Sequence, residues 1–451
     1  MFKFRDDFNA CKTIYCKNFG VVNSEDYVYK TRRLGYLAID CAVCGSHPPW
    51  IDNQLIKKVL KEKFNAQFMQ KLTGCPECNN AFFITNKTET TRHGYTSAGT
   101  PRKKCNRCGC VFTLQRYKNR DALNIVLNSV LFAGGKSSPI KETGLSARLY
   151  YFYLNKLALL LSNFSRLKEQ ASISTQHLAM HTQGKRVALG HQRGFYSFVT
   201  SEARSGYILL QSNNLTELQL QKKDLYSLVD DTRIVTDEHE NIENILVDRY
   251  AQHLNRKHFE QLLCGPLKSV RNSNLIYPDK LAYVHFQLLK VFTDHREKYS
   301  YYIDHESAMR SAALMSVVDD IKEKQVDVSF FVPLKSSNEV LQGKEIGWWK
   351  DKWFTNEQGA YCPILSQQKK VNLPLFNTDG VEDFYSYLDK SLYKGVNSHR
   401  VIDNVSEIYR VIFNYCEVKN GRTTAQALLI NEKAYTPKSL LEEALAVVAS
   451  E

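Results

Sequence analysis

The chain of 451 residues lacks any run of about 18 uncharged apolar residues, so no segment reads as a membrane-spanning helix. It also lacks an apolar stretch behind its opening Met-Phe-Lys-Phe-Arg-Asp-Asp, so no secretory signal is expected and the expected location is cytoplasmic. No long low-complexity run interrupts it. Acidic residues are scarce at the front: residues 1–171 hold 12 Asp+Glu against 27 Lys+Arg, whereas residues 172–451 hold 35 against 33. The whole excess of positive charge therefore sits in the first part, which points to a nucleic-acid-binding front end on a near-neutral body. Cysteine is scarce at the rear, with three of twelve beyond residue 110. What is present is ordinary for a folded chain: 43% hydrophobic and 24% charged residues, enough for at least one large core and several domains.

Eight of the nine early cysteines fall into four pairs. Cys75-Pro-Glu-Cys78 and Cys105-Asn-Arg-Cys108 are two C-x2-C knuckles separated by 26 residues, a spacing that puts four thiolates on one tetrahedral Zn²⁺. Gly109 would turn the second knuckle, Phe112 would cap a small core, and Cys110 is surplus. Cys11 and Cys16, with a wider gap, and Cys41-Ala-Val-Cys44-Gly45 make a second set of four. In a reducing compartment such sets mean metal rather than disulfides. Both are closed four-cysteine sets, so the expected zinc is structural, with no position left for a reactive water. His47 and His93 lie near the two sets and read as surface or DNA-facing residues.

Behind the second set, three helices are predicted: 120–132, a short one at 139–143 with Pro139 at its start, and a longer one at 147–161. Gly134-Gly135 separates the first two, and Gly144-Leu145-Ser146 is the turn before the last, with Ser146 as N-cap. This is a helix-turn-helix pattern, whose last helix enters the major groove of double-stranded DNA. The expected DNA contacts are Arg148, Tyr151, Asn155 and Lys156 on that helix, and Arg102, Lys103, Lys104 and Arg107 on the second cysteine module. From residue 172 onward, β-like and helical stretches alternate, which predicts an α/β body. The units expected are 1–52, 53–117, 118–171 and 172–451, with a β-rich insertion at 325–378.

The order C-P-x-C, R-x-x-C-x-x-C-G-x-x-F-T (Arg102 to Thr113), then Thr143-Gly-Leu-Ser146 resembles the N-terminal half of bacterial insertion-sequence transposases. Cys11 to Gly45 resembles a second ribbon of the same kind. The segment Tyr302-Ile303-Asp304-His305-Glu306 and the terminal Asn414-Tyr415 with Gly421-Arg-Thr-Thr-Ala425 are similar to parts of their RNase H-like catalytic body, with Thr424 where that family has Pro. The resemblance spans about residues 10–435. It implies two zinc ribbons, a helix-turn-helix and an α/β RNase H-like domain, acting as a dimer or larger assembly on the DNA ends of a mobile element. It also implies DDE-type strand cleavage and transfer by two Mg²⁺ or Mn²⁺ ions held by three carboxylates.

The carboxylates do not all match. Asp304, at the end of a β-prone run, fits the second; its alternative is a helix N-cap. Glu407 fits the third, with a solvated helical Glu as its alternative, and Arg400 stands where some relatives carry the acid. For the first, the strand at 177–180 runs into His181, and residues 172–200 contain no Asp or Glu. Asp237, Glu238 and Asp248 read as a solvated polar segment. Trp348, Trp349 and Trp353 read as packing in the insertion rather than a base-stacking platform. The sequence therefore supports an active transposase-like enzyme with an incomplete triad or, alternatively, a transposase-derived DNA-binding regulator, scaffold or defence component.

Overall fold

The structure is a computed structural model. It describes residues 3–450 apart from 70–74, 76, 78–89, 114–118, 133–138, 174–176, 191, 227–240, 295, 335–339, 367–369, 372, 374–376, 378 and 393–397. The chain begins with an antiparallel pair, β1 (Tyr27–Thr31) and β2 (Ala38–Cys41). Helix α1 (Asn53–Phe64) follows, capped by Asp52, whose carboxylate accepts the Gln54 and Leu55 N–H groups. Its end widens into a π-helical turn at Asn65–Met69. A second small sheet has the order β3 (Thr90–Tyr95), β4 (Pro101–Cys105), β5 (Val111–Thr113), all antiparallel. Then come α2 (Arg120–Phe132), α3 (Pro139–Thr143) and α4 (Ala147–Ile173).

Helix α4 runs twelve residues past the predicted 161. The reason is in its polar residues: Ser162, Asn163, Ser165, Arg166 and Glu169 are buried rather than solvated. They satisfy one another and the strand beyond, so the helix continues through what reads as a surface.

The body is one eight-stranded mixed sheet. Its first three strands, β6 (Leu178–Gly190), β7 (Arg193–Glu202) and β8 (Ile208–Asn213), form an antiparallel meander. A short antiparallel pair, β9 (Leu215–Thr216) with β10 (Asn274–Leu275), brackets α5 (Ile242–Leu254) and precedes α6 (Pro278–Thr293). Strand β11 (Tyr299–Ile303) then lies parallel to β6, and after α7 (Ser307–Ser316) and α8 (Val318–Lys322), β12 (Val326–Pro333) lies parallel to β11. Parallel neighbours need a crossover, and these helices supply it. Strands β13 (Gln342–Ile346), β14 (Asp351–Asn356) and β15 (Gly359–Pro363) complete the order β13-β14-β15-β12-β11-β6-β7-β8. The predicted β-rich stretch around 325–370 thus joins the main sheet through β15 on β12. Helices α9 (Gly380–Ser391), α10 (His399–Cys416), α11 (Thr424–Ala427) and α12 (Pro437–Ser450) end the chain. Among the described residues, no helix is long and apolar enough to cross a membrane.

Every residue of β11 is buried, as expected for a strand covered on both faces. One apolar core runs from Phe8 to Leu445, so the front of the chain packs onto the body. The Lys12 ammonium is buried between the Glu260 carboxylate (2.6 and 2.8 Å) and the Tyr283 hydroxyl (2.8 Å), and Phe8 meets the Tyr283 ring edge-on.

His181 and His285 are sealed into this core, and His258 is half-buried beside Tyr36. Burial brings His181 and His258 down to about 4 and His285 to about 3. In the unfolded chain they titrate near 6.5. Between those values the unfolded state binds more protons, so stability is present above about pH 6.5 and falls with acidification. Each histidine contributes up to about 1.4 kcal/mol per pH unit. The urea midpoint is expected to drop from pH 7 to pH 5; a flat or rising midpoint would contradict this burial.

Candidate metal centres and nucleic-acid interface

The Sγ atoms of Cys11, Cys16, Cys41 and Cys44 lie within 4.8 Å of one another. Cys11 and Cys44 are 3.5 Å apart and Cys16 and Cys41 3.8 Å. Four thiolates at ~2.3 Å from one Zn²⁺ define a tetrahedron with edges of ~3.8 Å, so the set fits that ion. The surroundings also suit thiolates: the Asn18 backbone N–H donates to Cys16, its side-chain amide to Cys41, and the Ser46 hydroxyl lies 3.2 Å from Cys44. Tyr27 braces the loop, accepting the Cys11 N–H and donating to the carbonyls of Asn18 and Val21.

In the second module, Cys75, Cys105 and Cys108 come together, with Cys75 and Cys108 3.4 Å apart. Cys78, the fourth expected ligand, lies outside the described residues. The two modules share one turn. Gly45 N–H donates to the Cys41 carbonyl at 2.8 Å, and Gly109 N–H to the Cys105 carbonyl at 2.9 Å. Both glycines have positive φ (69° and 74°), which only glycine adopts without cost. Either cysteine group could hold Zn²⁺. Cys110 joins neither group, and its carbonyl accepts the Cys105 N–H. His47 is held by Asp40 at 2.7 Å, and His93 is exposed on β3.

The predicted DNA-facing residues sit on two surfaces. On β4, Arg102 and Lys104 are exposed on one face of the strand; Lys103 projects to the other, across from Arg92 and Phe112. Arg107 is exposed in the knuckle. On α4, Arg148, Tyr151 and Asn155 are exposed, and the Lys156 ammonium lies over the Phe152 ring at 4.5 Å. One face of the first turns of α4 is therefore exposed, while Tyr150 and Leu154 are buried on the other, and the helix packs on α2, α3 and α10.

The predicted carboxylates are not brought together. Asp304 follows β11, and its N–H donates to the Thr182 carbonyl of β6. Its carboxylate accepts from Arg249 of α5 at 2.8 Å and from the His305 N–H. Two residues on, Glu306 is clamped by Arg256 (2.6 and 2.8 Å), which holds it far below the usual carboxylate range despite burial. Glu407 sits on α10, bound by Arg410 and lining a cavity that Asp304 does not reach. His181 is a neutral core residue against Phe331. The β6 residue beside Asp304 is Gln183, one beyond the Thr182–Ile303 pairing. Asp248 lies within helix α5 rather than in a loop; Asp237 and Glu238 lie outside the described residues.

Sequence reasoning passed over Asp389. It sits near the end of α9, 3.8 Å from Lys185 of β6. The neighbouring Tyr385 of α9 reaches the same strand, its hydroxyl on the carbonyls of Gln183 and Ser197, and burial raises its phenol. No local motif marks Asp389; only the packing of α9 on β6 brings it there. Among the described residues, the groups of three or more ligand atoms close enough to share a metal are the two cysteine clusters. Trp353 is fully buried and Trp349 packs on the core, as expected, with Trp348 partly exposed.

No known protein family, curated protein or solved structure matches this chain.

Proposed function

We propose that this protein binds double-stranded DNA through its second cysteine module and the start of α4, as a transposase-like protein whose body does not cut DNA by the two-metal route. The observation that carries the first half is the exposed cationic face of β4 and its knuckle, Arg102, Lys104 and Arg107, beside a cysteine cluster that could hold zinc. Such cations displace counterions from phosphates, and Arg148 and Tyr151 at the exposed start of a helix suit base edges in the major groove.

The strand order supports kinship with RNase H-like bodies: a three-stranded meander, then two strands parallel to its first, the fourth beside the first. Asp304 at the end of β11 fits a metal-binding carboxylate in that scheme. The inactive reading is favoured by what surrounds it. Arg249 is already paired with Asp304, Lys185 faces Asp389, and the β6 residue beside Asp304, where the first acid is needed, is Gln183. Mg²⁺ needs converging anionic oxygens rather than paired guanidinium groups.

Two measurements test this. Arg102→Glu with Lys104→Glu is expected to weaken binding to any duplex and to reduce the salt slope by about one per lost phosphate contact. Supercoiled plasmid with Mg²⁺ or Mn²⁺ should remain intact. Duplex affinity unchanged by the double substitution would refute the interface; plasmid cleavage that disappears in Asp304→Ala would establish the active transposase instead.

A further inference from the structure

The start of α4 carries large apolar side chains where a solvent-facing helix usually carries polar ones. Phe152 is 49% exposed, Leu149 46% and Tyr151 45%. At 3.6 residues per turn, Arg148, Phe152 and Lys156 follow one another up a single face. Leu149 and Asn155 stand three places before and after Phe152 and so flank it. Phe152 thus occupies the middle of the face on which Arg148 and Asn155 are exposed.

The Phe152 ring is fixed although it faces solvent. The Lys156 ammonium lies over it at 4.5 Å, and the Tyr153 ring meets it edge-on with centroids 5.3 Å apart. The opposite side of the helix is anchored by the buried Tyr150 and Leu154. Leu149 sits in the first turn, its N–H donating to the Ser146 hydroxyl at 3.4 Å. A ring and a branched side chain held outward in this way form a small, preset apolar surface.

Two features decide what covers it. The first is charge. From Thr143 to Lys168 the chain has no Asp or Glu, so the helix brings only cations to this face. A helix N-terminus favours acids, and the first turn of α4 has none, which leaves its partial positive charge for an anionic partner. The second is continuity, since Arg148, Tyr151 and Asn155 of the proposed duplex interface lie on this face. The partner therefore combines an anionic rim with small apolar groups inside. The major groove of DNA has both: phosphates along its edges and the 5-methyl group of thymine on its floor.

We infer that Phe152 and Leu149 select duplexes by contact with thymine methyl groups, while the neighbouring Arg148 and Lys156 meet phosphates. The inference rests on duplex binding by α4 and adds a base preference to it. Cations on phosphates hold any sequence, whereas apolar contact with the methyl group tells thymine from the other bases.

Thymine and uracil differ by that methyl group alone, which supplies the test. The full-length protein selects duplexes from a randomised pool, and the enriched duplexes are remade with deoxyuridine in place of thymine. Thymine at fixed positions is expected, with binding about fourfold weaker for each contacted methyl removed. Leu149→Ala with Phe152→Ala should bind the two duplexes alike, with a thermal midpoint and a salt slope close to the parent's, because both side chains are half exposed and the cations remain. Phe152→Leu, which keeps an apolar side chain, should retain the preference. Enrichment without thymine, equal parent affinity for the two duplexes, or a difference that survives in the double variant would overturn the assignment and leave duplex binding standing. No binding of any duplex would overturn the duplex reading and this assignment with it. A lower molecular mass by light scattering in the double variant, with the thymine difference unchanged, would give the face to a second copy of the chain instead.

Discussion

Replacing Arg410 by Met is expected to destabilise the protein by about 3–5 kcal/mol, the usual cost of leaving a buried charge without its partner. Arg410 is fully buried and uses its whole fork. Nε and Nη2 donate to Glu407 at 2.9 and 2.8 Å, and Nη1 donates to Glu169 at 2.9 Å and to the Ile208 carbonyl. Glu169 is equally buried and also accepts from Arg166, Ser165 and Tyr207. The network thus joins α4, β8 and α10 through Arg410, Arg166 and Glu169, which water does not reach, with the part-exposed Glu407 at its edge. Against the cost of burial, Arg410 holds Glu407 below the ordinary carboxylate range. Lys cannot reproduce the fork and should rescue little. Urea unfolding measures the loss; a variant within about 1 kcal/mol of the parent would show that the network does not carry the packing of α4.

Removing the first metal is the second large effect. Purified protein is expected to hold about two Zn²⁺ per chain, one per cysteine group. Cys41→Ser should lower that to about one. Metal binding to such a set is worth about 10–16 kcal/mol of folding free energy in small zinc domains, so the loop around Cys11 and Cys16 should unfold without it. The damage should spread. Lys12 lies beside Cys11, and its loss from the body leaves the Glu260 carboxylate, among the described residues, hydrogen-bonded to Tyr283 and Ser311 without a paired cation. A thermal midpoint well below the parent's is therefore expected, with zinc content falling in step. An unchanged zinc count and midpoint would remove zinc from the first cysteine group.

What the sequence revealed depended on distance along the chain. Both cysteine groups were legible because a knuckle is a local spacing, and Gly45 and Gly109 mark its turn. The end of α2 and the starts of α3 and α4 were legible from glycines and Pro139. The end of α4 was not, because Ser165, Arg166 and Glu169 read as a solvated face and are instead the buried side of an ionic network. Strand β6 was legible only at its beginning; its long antiparallel partner β7 carries it on to Gly190. Asp304 stands at a strand end, as expected of it, but nothing local shows Arg249, 55 residues away, as its partner. The same holds for Lys12 and Glu260, 248 residues apart. Charge partners are set by topology, which single-residue spacing does not encode.

The central claim is that cations of the front end bind duplex DNA, and affinity against salt tests it most directly. Fluorescence anisotropy of a labelled duplex with the full-length protein, from about 50 to 200 mM salt, should give a straight fall of log K with log salt, at a slope of about −0.9 per neutralised phosphate. A slope near −6 would cost roughly four-thousandfold across that range. Binding that ignores salt, or no binding at 50 mM, would contradict the claim.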